Sequence, residues 1–381
     1  MATTEPTVGV YATSRKPDER RLAIHPAHFD RIDETLRGRI FLEAGYGERF
    51  GVSDADLAPL VGGLLDRDAL GQQCDVLLLP KPLLADLEAL RPGQVVWGWP
   101  HCVQDEALTQ LAIDRELTLI AWEAMNHWTG DGNFDLHVFH KNNELAGYCS
   151  VLHALSLVGS TGDYGRRLNA AVISFGATAR GAVRGLLALG VSDVTVFTQR
   201  DSAAVASPFS AVRMEQFARD GDGTHTVADD QPFGEVLANF DVVVNCILQD
   251  TEAPLMFVLD DELQAFSPGS LVIDVSCDDG MGFEWARPTT FADPMFAVGP
   301  GVHYYAVDHT PSYLWNSATW ENSVVVLEHL PTVMAGPDAW QESDTIRRAI
   351  EIRDGRVLNP RILSFQGRSP QYPHEVGGPE T

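Results

Sequence analysis

Positive charge is scarce in this chain. Lys and Arg number 27 against 53 Asp and Glu, a formal net charge of −26 over 381 residues. So acidic a surface repels nucleic-acid phosphate and anionic lipid, and neither is expected as a partner. Cysteine is also sparse. Cys74, Cys102, Cys149, Cys246 and Cys277 are scattered with no C-x-x-C pair, which predicts a reducing compartment and no disulfide framework. The opening residues, MATTEPTVGVYATS, carry neither the basic nor the apolar region of a secretory signal, and no apolar run is long enough to span a bilayer. These absences predict a cytoplasmic protein without a membrane partner. No internal repeat is visible. His127, His137 and His140 lie among Gly and Asp, but their spacing matches no zinc pattern and no metal is expected.

The stretch Asn169 to Arg200 organises what is present. An apolar run, Ala171 to Phe175, leads into the small-residue turn Gly176-Ala177-Thr178-Ala179. A helical pattern from Arg180 to Leu189 stops at Gly190, and a second β-rich run spans Val194 to Phe197. Strand, tight turn, helix and strand open a dinucleotide-binding fold, in which small turn residues let backbone N–H groups approach a pyrophosphate. The G-x-G-x-x-G pattern falls on Ser174, Gly176 and Ala179, so only its middle glycine is present. Gly181 and Gly185 come later and predict close helix–strand packing. A buried βαβ unit holding no nucleotide is the alternative. The second run ends Thr198-Gln199-Arg200, without the acid that grips the ribose hydroxyls of NAD. Arg and small hydroxyl residues suit a ribose 2′-phosphate, which predicts NADP(H) over NAD(H).

Elsewhere, strands alternate with helices, as in a parallel sheet. Strands are expected at Val8–Tyr11, Ile40–Glu43, Cys74–Leu79, Val95–Trp99, Leu117–Trp122, Val242–Asn245, Leu271–Val275 and Tyr304–Asp308. Helices are expected at Pro26–Leu36, Asp54–Leu60, Asp105–Arg115, Asn143–Val158, Ala211–Arg219, Phe233–Phe240, Leu259–Phe266 and Ser343–Arg353, with another from His309 to about Met334. Gln366 to Thr381 reads as a Gly- and Pro-rich tail. Three early strands end in a polar residue, Lys81, His101 and Glu123. Ligands bind at the carboxyl ends of parallel strands, so the three side chains are candidates for one site. Taken singly, each reads equally well as a solvated or capping residue.

Several segments carry a resemblance. They are Glu19-Arg20-Arg21-Leu22-Ala23-Ile24-His25-Pro26, Leu79-Pro80-Lys81-Pro82, Trp99-Pro100-His101-Cys102, Ala121-Trp122-Glu123, Phe139 to Tyr148, Val244-Asn245-Cys246, Ile273 to Asp278 and Val307 to Ser312. In this order the chain resembles the alanine dehydrogenase, transhydrogenase and saccharopine dehydrogenase superfamily, and within it the N5-(carboxyethyl)ornithine synthases. The resemblance implies an α/β fold of two doubly wound Rossmann-like domains with a cleft between them. Residues 1–140 plus 306–381 would form the discontinuous substrate domain, and 141–305 the dinucleotide-binding one. It implies an NAD(P)-dependent dehydrogenase acting on a secondary amine or imine. The activity would be opine-type, condensing pyruvate or a similar 2-oxo acid with the side-chain amine of ornithine or lysine. Arg21 would hold the keto acid carboxylate and His309 would also bind substrate. Lys81, His101, Glu123 and Asp278 would be catalytic. Ser174, Gly176, Ala177, Thr178, Ala179, Thr198, Gln199, Arg200, Cys246 and Ile247 would hold the cofactor. Pro82 stands where saccharopine enzymes carry Glu, a departure from that chemistry. Saccharopine or alanine dehydrogenase activity, and a non-catalytic nucleotide-binding sensor, are the alternatives. A homo-oligomer is among the states the sequence allows.

Overall fold

The computed structural model describes residues 5–200, 209–219, 226–228, 231–249 and 253–377. The chain divides into two units, Met1–Phe139 with Trp315–Thr381, and His140–Leu314.

In the first unit, Val8–Val10 (β1), Ile40–Glu43 (β2), Gly63–Leu65 (β3), Val76–Leu78 (β4), Val95–Gly98 (β5) and Thr118–Ala121 (β6) pair in parallel, in the order β6-β5-β4-β1-β2-β3. Strands β1, β4, β5 and β6 are buried along their whole length, which explains their unbroken apolar runs. The strand order reverses between β1 and β4, the kind of switch point beside which ligands bind. Helix α1, Glu106–Asp114, follows the loop after β5 and is capped by the Asp105 carboxylate, which accepts from Leu108 N–H. An aromatic group fills the core beneath the strand ends. Trp99 meets Trp122 edge-on at 4.6 Å, and Trp122 stacks on Phe139 at 4.6 Å. Burying each such ring contributes about 2–3 kcal/mol.

Two expectations for the C-terminal region fail. The predicted helix Ser343–Arg353 stops at Ala349, and Ile350–Arg353 pairs antiparallel with β6. Its alternating Ile-Glu-Ile sequence fits a strand better than a helix, and Arg356–Val357 pairs on its other side. The predicted tail is folded as far as Gly377, whose N–H donates to the Gly367 carbonyl, although most of its residues stay exposed. Arg368 and His374 are buried, and the His374 ring accepts the Val357 N–H.

In the second unit, the long helix His140–Leu157 (α2) precedes Asn169–Ile173 (β7), Ala177–Ala188 (α3) and Asp193–Thr198 (β8). Arg213–Gln216 (β9), Val242–Asn245 (β10), Leu271–Asp274 (β11), Met295–Val298 (β12) and Val302–Tyr305 (β13) complete a sheet ordered β9-β8-β7-β10-β11-β13-β12. All its pairings are parallel except that of β12 with β13. The helix expected at Ala211–Arg219 is instead the edge strand β9. Arg213 reaches over β8 to Asp193 (2.7 Å) and Thr195 (3.0 Å), so tertiary pairing overrides helix-forming composition. Gly181 also serves a different purpose from the one expected. A Cβ there would meet the Glu144 carbonyl oxygen of α2 at 1.7 Å, and one on Gly147 would meet the Thr178 carbonyl at 1.9 Å. These glycines let α2 and α3 touch backbone to backbone.

Helix–loop boundaries shift elsewhere in a consistent way. Pro26–Leu36 becomes the 3₁₀ turn Pro26–Arg31 and the short helix Glu34–Arg37, while Leu259–Phe266 narrows to the 3₁₀ turn Glu262–Ala265. Of residues 201–230, which read as polar and loop-like, only 209–219 and 226–228 are described. Among the described residues, no helix is long and apolar enough to cross a membrane.

Candidate active site

In the first unit, the loops leaving β4, β5 and β6 bring Lys81, His101 and Glu123 into one chain of contacts. Lys81 Nζ lies 2.6 Å from His101 Nε2. A hydrogen bond this short needs one donor and one acceptor, so the pair does not carry two positive charges while it is made. The Ser14 hydroxyl donates to the Lys81 carbonyl at 2.9 Å, tying the loop after β4 to the loop after β1. His101 has a left-handed backbone, φ 50°, a conformation that costs a non-glycine residue about 1 kcal/mol or more. It is held by its N–H, which donates to Glu123 Oε1 at 2.7 Å, and by its carbonyl, which accepts from Gln104 and Asp105. The same Oε1 is 3.8 Å from His101 Nδ1.

Glu123 is an unusual carboxyl. A quarter of its side-chain surface is open (26%), yet Oε2 is sealed without a hydrogen-bond partner. Burial, and next the nearby Glu351 carboxyl, raises its pKa to about 8.

Arg21 is buried and already paired. Its Nε donates to Glu19 Oε1 at 2.8 Å and its Nη2 to Glu19 Oε2 at 2.5 Å, while its guanidinium carbon stands 4.9 Å from the Trp99 ring centroid. Both side chains are almost completely sealed. A buried Arg of this kind is fixed in orientation by its carboxylate fork. The sequence reading did not assign Glu19 this part, although it stands two residues before Arg21 in the same segment. It also missed Glu351, which reaches the neighbourhood from a strand more than two hundred residues further along the chain.

The second unit carries the predicted dinucleotide turn. Ser174, at the position of the first fingerprint glycine, has φ 82°, a left-handed conformation that explains why glycine suits that position. Its N–H donates to the Phe197 carbonyl of β8 at 2.7 Å. Gly176 caps α3, and a Cβ built on it would meet nothing within 4 Å, so the turn is open to close approach by a ligand. Ala177, Thr178 and Ala179 form the first turn of α3, whose N–H groups have no partners within the helix. These features fit a pyrophosphate. Beyond β8, Thr198 Oγ1 accepts from Arg200 N–H at 3.2 Å, and Gln199 is exposed. Arg200 Nη2 donates to the Phe175 carbonyl at 3.3 Å. Arg180 on α3 lies 4.2 Å from the Phe175 ring centroid, and the two cations repel each other. Cys246 N–H donates to the Ile173 carbonyl, which ties the loop after β10 to β7 at the point where the strand order reverses, and Ile247 follows at once.

Asp278 is half-buried after β11, and burial raises its pKa. Beside it Asp274 accepts from Tyr304 OH at 2.7 Å and Asn245 Nδ2 at 3.0 Å, and burial lifts it to about 6. His309 is buried, 2.6 Å from Asp308 through Nδ1 and edge-on to Phe291. Among the described residues, no three His, Cys, Asp or Glu side chains converge as metal ligands would.

Comparison with known proteins agrees with this architecture. Residues 9–144 match the alanine dehydrogenase/PNT N-terminal domain and residues 166–360 its C-terminal domain. N(5)-(carboxyethyl)ornithine synthase of Clostridium botulinum is 23% identical over 329 residues, covering 82% of this chain and 90% of the relative. Alanine dehydrogenase of Halomonas elongata is 27% identical over 375 residues, covering 92% and 95%. Among solved structures, an L-alanine dehydrogenase superposes with a TM-score of 0.75 at 20% identity, over 94% of this chain and 98% of that one. A transhydrogenase from Sinorhizobium meliloti gives 0.72 at 20% identity, over 92% and all of that chain (100%).

Proposed function

Because the chain belongs to the alanine dehydrogenase/PNT family, an oxidoreductase family that binds nicotinamide nucleotides, we propose that it is an NADP(H)-dependent opine-type oxidoreductase. It joins pyruvate or a similar 2-oxo acid to the side-chain amine of ornithine or lysine. The observation that carries this reading is the 2.6 Å contact between Lys81 and His101 at the ends of neighbouring parallel strands.

Each group has a task that its chemistry suits. Arg21, fixed by Glu19 and Trp99, orients the 2-oxo acid through its carboxylate, with His309 as a second substrate contact. His101 takes a proton from the attacking amine and returns one to the departing hydroxyl. Lys81 polarises the carbonyl oxygen and exchanges a proton with His101. Glu123 holds the His101 backbone and tunes the couple, and Asp278 supplies a carboxyl on the second unit. Condensation thus forms the C=N bond and releases water. Ser174, Gly176, Ala177, Thr178 and Ala179 hold the pyrophosphate of the cofactor, Thr198, Gln199 and Arg200 its ribose 2′-phosphate, and Cys246 and Ile247 continue the binding surface. When bound, NADPH supplies the hydride that reduces the imine.

A second reading is favoured by a specific observation. The Halomonas elongata alanine dehydrogenase matches at higher identity and coverage than the carboxyethylornithine synthase does. Substrate panels separate the two. NADPH and NADH oxidation is followed with pyruvate and with ornithine, lysine or ammonia. Turnover with a diamino acid supports the opine reading, and turnover with ammonia alone supports alanine dehydrogenase. Cofactor binding without turnover on any pair would leave a nucleotide sensor.

A further inference from the structure

Glu351 stands on Ile350–Arg353, at the irregularity where Ile350 pairs with Ile120 and Ile352 with Leu119. A bulge of this kind re-aims a side chain out of the alternating pattern. Here it directs a carboxyl that is only 5% exposed towards the end of β6, where Glu123 begins the next loop. Glu351 Oε1 accepts from Asn359 Nδ2 at 3.0 Å. Its Oε2 is sealed and without a hydrogen-bond partner, and so is Oε2 of Glu123. The Cys102 thiol, next to His101 in the chain, interacts with both carboxyls. The groups facing this pocket are therefore Lys81 after β4, His101 and Cys102 after β5, Glu123 after β6, and Glu351 with Asn359 from the C-terminal strand and the turn beyond it. His137 touches the same turn through the Trp122 carbonyl at 3.1 Å.

Two sealed oxygens on neighbouring acids are costly if both acids are ionised and much less so if one is protonated. Among the described residues the basic group that acts on Glu123 is Lys81, and it is already engaged with His101. We propose that Glu351 is a positioning residue of the site: it and Glu123 hold one proton between them, and Glu351 thereby limits the negative charge that Glu123 presents to His101. This rests on the reading of Lys81 and His101 as the working couple. The shift of both carboxyls away from their ionised forms agrees with it. Without Glu351, Glu123 would ionise more readily. Its charge, 3.8 Å from His101 Nδ1, would stabilise the imidazolium and raise the pH at which His101 loses its proton.

Two measurements on the ligand-free full chain test this. The first is the infrared carbonyl stretch of protonated carboxylic acids in the wild-type protein at pH 7.5, above the range where Asp274 titrates. A band is expected that is lost in Glu123→Gln and titrates to lower pH in Glu351→Gln. Its absence from the wild type overturns the proposal, even if neither variant folds. The second is the pH titration of the His101 imidazole resonance by NMR, assigned with His101→Gln. Glu351→Gln should move the midpoint up by about one pH unit, while Glu351→Asp, which keeps a carboxyl, should stay near wild type. An unchanged or lowered midpoint in Glu351→Gln overturns the proposal. Turnover identifies which reading has failed. If Lys81→Met and His101→Gln lose activity while Glu351→Gln leaves His101 unmoved, the couple stands and Glu351 has no part in it.

Discussion

At the scale of single residues, the proposed chemistry falls where backbone conformation and charge pairing are out of the ordinary. His101 sits in a left-handed conformation, and Lys81 shares a short hydrogen bond with it. If they work as a unit, Lys81→Met and His101→Gln each cost about a hundredfold or more in turnover, and the double variant little beyond the worse single one. Cofactor affinity and melting temperature should stay near wild type, because neither side chain is part of the apolar core. Multiplicative losses in the double variant would separate the two residues. Arg21 behaves differently. Arg21→Lys keeps the charge and loses the fork, so the Michaelis constant for the keto acid should rise steeply while NADPH affinity holds. Because Glu19 is sealed beside it, the same change should also destabilise the fold, on the order of 2 kcal/mol in a denaturant titration. A stable variant with normal keto acid kinetics would remove Arg21 from both roles. His28 gives the pH term. It is sealed, bonded to Ser323 at 2.8 Å, and burial lowers its pKa to about 4. The unfolded chain binds that proton near pH 6.5 and the folded one only near 4, so stability falls as pH drops through this window. The melting temperature of His28→Gln should depend less steeply on pH between 6.5 and 4, and parallel curves would refute the assignment.

At the scale of elements, strands were readable from composition and their neighbours were not. Val242–Asn245 and Ile40–Glu43 coincide with their expected bounds: the first is buried along its whole length and is written as an apolar run, and the second alternates buried and half-buried residues. Lys81, His101 and Glu123 could be named for the same reason, since each follows such a run. Glu19 and Glu351 could not. Their parts depend on a loop that folds back and on a strand, Ile350–Arg353, whose pairing with β6 no local pattern declares. Arg213–Gln216 shows the limit from the other side, since its residues favour a helix and only the pairing with β8 makes it a strand. The close approach of α2 and α3 is another non-local fact, and it carries a prediction. Gly181→Ala places a methyl group against the Glu144 carbonyl, so the helices must separate or the backbone must shift. Overpacking of this kind costs about 1–3 kcal/mol. The variant should melt lower and bind NADPH more weakly, because α3 also carries the turn proposed to hold the pyrophosphate. Exposed Gly176 has open space above it, so Gly176→Ala should leave the melting temperature alone and affect nucleotide affinity only.

At the scale of the whole molecule, charge poses a conflict that fixes the last prediction. The chain carries −26, and its proposed cofactor is itself an anion. The long-range field would therefore oppose binding, while Arg200 and Arg180, which both contact Phe175, would attract at short range in the proposed site. Salt separates these effects, because the Debye length is about 10 Å at 0.1 M. Repulsion from distant carboxylates is screened first, and a direct guanidinium–phosphate contact much less. Raising salt from about 0.01 M to 0.1 M should thus speed NADPH association severalfold, the reverse of what a basic nucleotide site would give. Over the same range the preference for NADPH over NADH should change little, since it depends on the local contact. Arg200→Ala should reduce that preference about tenfold, equivalent to about 1.4 kcal/mol, and leave the salt dependence of association in place. Stopped-flow fluorescence with both cofactors measures each quantity. Tighter binding of NADH by the wild type, or an unaltered preference in Arg200→Ala, would show that the 2′-phosphate is not read at this position. The acidic surface would then favour the less charged nucleotide.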